Sequence, residues 1–272
     1  RSKLISELRR RNAADLGPDL VLTDAQQAKD LLREGLTDPL PQTERNTVQT
    51  DPTLMKQVRL NDGRLAGQPL VMFPQIACFN TQVIQKPPET LNELLEVGAA
   101  GARVGLPVNM DEVLWTAGSL NALPALAAAS RNQALSAEER DRITGWLTWL
   151  QQASNQRNIS FFENQGQLTT LLGRRELDWI SCTSDMFFRL RDQLGDDFGI
   201  APLPNGPDAP AAPVHLLRVL ALGRDSSSSQ RSMAIALSDY VTNPLVQRNL
   251  SLLSMSFVPV NPDVMIPTKS SK

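Results

Sequence analysis

The hydrophobic pattern switches repeatedly between a helical period and short, continuous apolar runs. Leu4, Ile5 and Leu8 form a short helical stripe. Gly17-Pro18-Asp19 then turns the chain into Leu20-Val21-Leu22, a run too short for a helix that reads as a buried strand. Residues 25–34 predict a helix with Ala28, Leu31 and Leu32 on one face, stopped by Gly35. Beyond a polar stretch over 39–53 and the turn signal Asn61-Asp62-Gly63, residues 64–80 are apolar but carry Pro69 and Pro74. Proline cannot donate to a sheet ladder, so a regular central strand is excluded there and extended segments crossing between lobes are expected.

Further along, Thr90 with Glu93 and Ser136 with Glu139 have the spacing of capping boxes and mark two helix starts. Ile143, Trp146, Leu147 and Leu150 follow the second at helical spacing. Residues 104–108, 179–182, 198–204 and 216–222 read as strands, and 164–173 and 225–241 as helices. Asn243-Pro244 breaks the last of these before another helical stretch. Alternating helices and strands predict an α/β fold with largely parallel sheets.

A chain of 272 residues is long enough for roughly two domains. Its 27 basic residues nearly balance 29 acidic ones, for a net charge of -2. Nucleic acid needs a positive footprint, so it is not an expected partner, and there is no polybasic patch for a membrane surface. No apolar run approaches the roughly 18 residues that span a bilayer. Residues 1–11 are basic and amphipathic, without the apolar centre of a signal peptide, so an export signal or anchor is expected outside the chain. Cys78 and Cys182 show no metal-ligand spacing. They read as two buried small hydrophobes, or as one bridge in an oxidising compartment, and both readings stay open.

The chemistry of the chain is sparse. His215 is the one histidine, so neither a metal site nor a catalytic triad is expected to rest on it. No phosphate-cradling glycine motif and no nucleophile elbow occurs. Glu138-Glu139 and Asp196-Asp197 are adjacent, solvated pairs rather than carboxylates converging across a cleft. Trp146 and Trp149 lie at the spacing of helix packing residues rather than of a ligand platform. Neither an enzyme nor a cofactor is expected.

Several blocks, in order, resemble the family of extracellular solute-binding proteins of ABC importers that includes the maltose-binding protein. They are Gly17-Pro18-Asp19-Leu20-Val21-Leu22, the helix ending in Gly35-Leu36, and the segment from Asp62-Gly63-Arg64-Leu65 through Pro69-Leu70 to Phe79-Asn80. Pro87-Pro88-Glu89-Thr90-Leu91-Asn92-Glu93-Leu94, Phe198-Gly199-Ile200-Ala201-Pro202-Leu203-Pro204 and Phe257-Val258-Pro259-Val260 follow. The resemblance spans almost the whole chain and implies a two-lobed periplasmic-binding-protein-like α/β fold, with interleaved lobes and a hinge. One lobe would hold 1–72 and 219–256, the other 73–218 and 257–272, with solute taken in the cleft between them. The implied ligand-facing positions are Thr23, Asp24 and Gln26 after the first strand, then Phe73, Pro74 and Gln75 at the first crossing. Asn109, Glu112, Leu114 and Trp115, then Ser184, Asp185 and Phe187, complete them in the second lobe.

The resemblance further implies ABC permease subunits and a small polar solute, such as a sugar or polyol, as partners. The implied location is the periplasmic or extracellular face of the cytoplasmic membrane. Thr23, Leu114 and Asp185 stand where the family's sugar binders place rings, so a long oligosaccharide is not expected. A smaller polar solute, or no ligand, stays open. The chain also begins inside the family's first helix and stops soon after Asn261-Pro262-Asp263, before its last helices. The alternative expectation is therefore a trimmed, ligand-free domain inserted in or tethered to a permease, acting in docking or regulation.

Overall fold

The computed structural model describes residues 2–43, 48–254 and 256–264. The described residues divide into two compact units, one drawn from 1–73 and 216–272, the other from 74–215. In the first unit α1 (Ser2–Asn12), β1 (Leu20–Asp24), α2 (Ala25–Arg33), β2 (Thr37–Asp38) and α3 (Pro52–Gln57) lead into β3 (Gln68–Asn80). Asp24 starts α2 by accepting the N–H of Gln27 at 2.7 Å. Past its end Gly35 sits at φ +65, a left-handed conformation that only glycine adopts at no steric cost. The apolar stripe of α2, Ala28, Leu31 and Leu32, packs into the first unit's core with Val21 and Val219.

The second unit continues from the latter half of β3 through α4 (Leu91–Ala99), β4 (Val104–Pro107), α5 (Met110–Ser119), α6 (Leu123–Ser130) and α7 (Ala137–Asn155). Then come β5 (Ile159–Phe162), α8 (Gln165–Gly173), β6 (Trp179–Thr183), one 3-10 turn (Ser184–Met186), α9 (Phe187–Leu194) and β7 (Phe198–Ala201). Strand order is β3-β6-β4-β5, with β7 also against β3. Ser136 and Glu139 form the reciprocal capping box that starts α7. Asp178, whose side chain is 3% exposed, accepts the backbone N–H of Arg103 and its guanidinium, at 2.8 to 2.9 Å, and so ties the starts of β4 and β6 together. One core layer gathers Leu106, Trp115, Trp149 and Trp179; another gathers Leu168, Leu172, Ile180 and Leu190 around Cys78 and Cys182. Those two cysteines form a disulfide, which decides between the two readings the sequence leaves open.

The chain returns to the first unit through β8 (His215–Gly223), α10 (Ser228–Val241), α11 (Pro244–Leu253) and β9 (Val258–Pro259). There β8 lies between β1 and β3, β2 pairs with β8, and β9 pairs with β3.

Three expectations are corrected. The sheets are not largely parallel: β1–β8, β2–β8, β3–β6, β3–β7 and β3–β9 are antiparallel, and parallel pairing holds at β4–β5 and β4–β6. Strands such as β8 and β9 re-enter beside strands already laid down, and an antiparallel neighbour needs no crossover helix. Residues 68–80 form one strand of 13 residues despite Pro69 and Pro74. Pairing with β6 begins at Gln75, just past Pro74, and pairing with β9 uses Val71 and Met72, so neither proline has to donate in these ladders. The segment from 257, as far as it is described, belongs to the first unit rather than the second. Its Val258 and Pro259 pair with Met72 and Val71, and Val260 is buried in the first unit's core.

Candidate polar site at the carboxyl edge of the second unit

Because β4 runs parallel to both β5 and β6, the carboxyl ends of all three strands open on one edge of the second unit. In α/β sheets ligands collect at such ends, where helix starts present N–H groups. Asn109 caps α5 by accepting the N–H of Asp111 at 3.2 Å, and Asn164 caps α8 by accepting that of Gln167 at 3.0 Å. Beyond β6 the chain passes through Ser184 and Asp185 into α9. On the other side β3 brings Gln75 opposite Thr183.

Glu112 is the centre of this edge. Its Oε2 accepts the N–H of Gln165, the first residue of α8, at 2.9 Å, while no hydrogen bond reaches Oε1 among the described residues. On the same edge two buried groups lack partners among the described residues: Nε2 of Gln165, a residue 8% exposed that follows β5, and Oγ of Ser184, 6% exposed, which follows β6. Burial pushes the Glu112 carboxyl above its usual range; the Gln165 N–H opposes the rise and the nearby Asp111 charge adds to it.

The sign of the stability effect follows from that direction. Unfolded, a glutamate such as Glu112 titrates at about 4.3. Folded, it holds its proton to higher pH, so its contribution to stability is greatest below the unfolded value and falls as pH rises through the folded one. Ionised Glu112 therefore destabilises the protein at neutral pH. Glu112→Gln keeps an oxygen to accept from Gln165. It is expected to raise the thermal midpoint at about pH 7 and to lose that advantage at about pH 3. Parallel melting curves at the two pH values check this.

No protein-family model and no curated protein matches the chain. Solved structures do. The maltose-maltodextrin binding protein of Alicyclobacillus acidocaldarius aligns over 98% of this chain and 72% of its own, at 15% identity and a TM-score of 0.70. The GacH receptor of Streptomyces glaucescens, solved unliganded and with acarbose, aligns over 96% and 70%, at 15% identity and 0.69. UgpB from Mycobacterium tuberculosis, solved with glycerophosphocholine, aligns over 93% and 70%, at 21% identity and 0.63. The fold is that of the maltose-binding-protein-like solute binders.

Within this solute-binder fold the positions singled out from sequence separate into three groups. In the first unit Thr23 is buried and donates its hydroxyl to Gln27 Oε1 at 2.7 Å, Asp24 is committed to its cap, and exposed Gln26 donates to Asp30 at 2.9 Å. Phe73 stands edge-on to Phe257, with ring centroids 6.1 Å apart. In the second unit Asn109, Glu112, Ser184 and Asp185 lie along the carboxyl edge. Asp185 accepts from the Thr183 hydroxyl at 2.5 Å, and Phe187 packs on Phe198 with Arg191 over its ring at 5.9 Å. Gln75 is there too but committed as a strut. Its Nε2 donates to the Glu112 carbonyl at 2.9 Å, and its Oε1 accepts the Val214 N–H at 3.1 Å.

Trp115 is a correction. It is 0% exposed and packs against Trp179 at 6.3 Å, so its ring serves the core, not a solute. Leu114 joins the cluster around Trp146, Val113 and Ala117. The residue that sequence reasoning missed is Gln165. Its signal was Asn164, a strong cap, at the start of an apolar helix.

Two apolar hollows flank these elements in the second unit. One, about 530 Å³, is lined by Pro74, Gln75, Ala201, Pro202 and Pro213. The other, about 450 Å³, is lined by Val108, Met110, Trp146, Leu147 and Leu150. Burial holds His215 below its usual range, so it is neutral at pH 7. Among the described residues no group of three or more His, Cys, Asp or Glu is placed to hold a metal, and no helix is long and apolar enough to cross a membrane.

Proposed function

We propose that this chain captures a small polar solute for an ABC importer, holding it at the carboxyl edge of the second unit. The observation that carries the proposal is the half-buried Glu112 carboxylate, bonded to the Gln165 N–H through one oxygen, on the same edge as side-chain donors of Gln165 and Ser184 that are buried without partners among the described residues. In this reading the Gln165 and Ser184 side chains turn outward to a polar solute, which supplies the bonds they lack among the described residues. Solved proteins of the same fold carry acarbose and glycerophosphocholine, which supports binding rather than turnover as the role. The partners in this reading are permease subunits and the solute, with no nucleic acid. The location is the periplasmic or extracellular face of the membrane, and the Cys78–Cys182 disulfide suits that oxidising compartment.

A second reading, a ligand-free domain that docks on or regulates a permease, is favoured by the internal commitment of Trp115 and Gln75. Calorimetric titration of the folded protein against small sugars, polyols and amino acids separates the two. Saturable heat with at least one solute is expected; silence across the whole panel would leave the second reading standing and overturn the first.

A further inference from the structure

We infer that this edge selects a small solute carrying a protonated amine together with hydroxyl groups. The inference rests on the proposal that the edge takes a solute, and it names the class. The segments that build the edge are 74–75, 107–112, 162–167, 183–187 and 213–215. They carry the carboxylates Asp111, Glu112, Glu163 and Asp185 and contain no lysine or arginine. The one histidine among them, His215, is neutral at pH 7. Arg191, from the next turn of α9, lies over the Phe187 ring, and neither Glu112 nor Asp185 has an ion-pair partner among the described residues.

Acidic residues at helix starts are ordinary by themselves, because the helix dipole favours them there. Glu112 is different, since it is half-buried and bonded through one oxygen only, to the N–H of Gln165, whose own buried side-chain Nε2 has no acceptor among the described residues. Gln165 offers its main-chain N–H to Glu112, so its side chain leaves the same helix start. A complementary solute must bring a cation for the carboxylate and oxygen acceptors for Gln165 Nε2 and Ser184 Oγ. A neutral polyol supplies the oxygens and leaves the charge unbalanced, while an anion meets the Glu112 carboxylate with the Asp111 charge acting on the same group. An amine on a hydroxylated carbon chain meets both demands.

The test uses three six-carbon solutes that differ in charge: glucamine (1-amino-1-deoxysorbitol), sorbitol and gluconate, titrated calorimetrically into the intact protein. Glucamine is expected to bind roughly tenfold or more tighter than sorbitol, gluconate not to bind, and added salt to weaken the amine selectively. Glu112→Gln is expected to erase the preference for glucamine, with Asp185→Asn as a second variant should the first fail to fold. Sorbitol or gluconate binding as tightly as glucamine overturns the charge inference while solute capture stands. Silence from all three also overturns it, and the wider panel of sugars and amino acids then decides solute capture on its own.

Discussion

Trp115→Ala is expected to cost about 3–5 kcal/mol of unfolding free energy, measured as a shift in the denaturant midpoint of the second unit's transition. The residue has no exposed surface, and its ring sits in one layer with Trp179, Leu106 and Trp149. Truncation removes the transfer energy of a large side chain and leaves a cavity that surrounding helices and strands close only in part. Trp115→Phe is expected to cost much less. Phenylalanine refills most of the volume, and the indole Nε1 it removes has no hydrogen-bond partner among the described residues. A solute-facing tryptophan would behave otherwise, losing affinity and little stability. A cost below about 1 kcal/mol for the alanine variant would contradict the core placement.

The second large effect belongs to the disulfide. Cys78 and Cys182 lie 104 residues apart in sequence, on neighbouring strands β3 and β6, with Cα atoms 5.9 Å apart. Closing so long a loop restricts the unfolded chain strongly, so the double variant Cys78→Ala/Cys182→Ala is expected to lose about 2–5 kcal/mol. Both cysteines are fully buried among Leu168, Leu172 and Ile180, and part of the loss is the vacated volume of the two sulfurs. In denaturant, a reducing agent should lower the wild-type midpoint towards that of the variant and leave the variant unmoved. Equal midpoints for wild type and variant under oxidising conditions would contradict the bridge.

The parts of the fold legible in the sequence are those where local chemistry decides. The stripe of α2, the caps at Asp24, Thr90 and Ser136, and the short runs that became β1, β4 and β6 all follow from residues within a turn or two of one another. What failed was decided by tertiary contact. Pro69 and Pro74 argue against a strand until the ladder partners are known. Helical periodicity puts Trp115 on a face but does not say that the face packs on Trp179. The cysteine bridge depends on two strands meeting across 104 residues. In the site, Glu112, Ser184 and Asp185 came from the family resemblance, and each follows a strand that the sequence also shows. Gln165 was not, because the resemblance implies no ligand-facing position at the start of α8, and the tie of its N–H to Glu112 spans 53 residues of sequence.

The most direct test of the central claim is a proton–nitrogen NMR titration of labelled protein with the tightest-binding solute of the panel. The account predicts that the backbone resonances of Gln165 and Ser184 and those of the turn around Glu112 shift most. If those resonances stay still while Val108, Leu147 and Leu150 around the apolar hollow move instead, the carboxyl edge is not where this protein holds its solute.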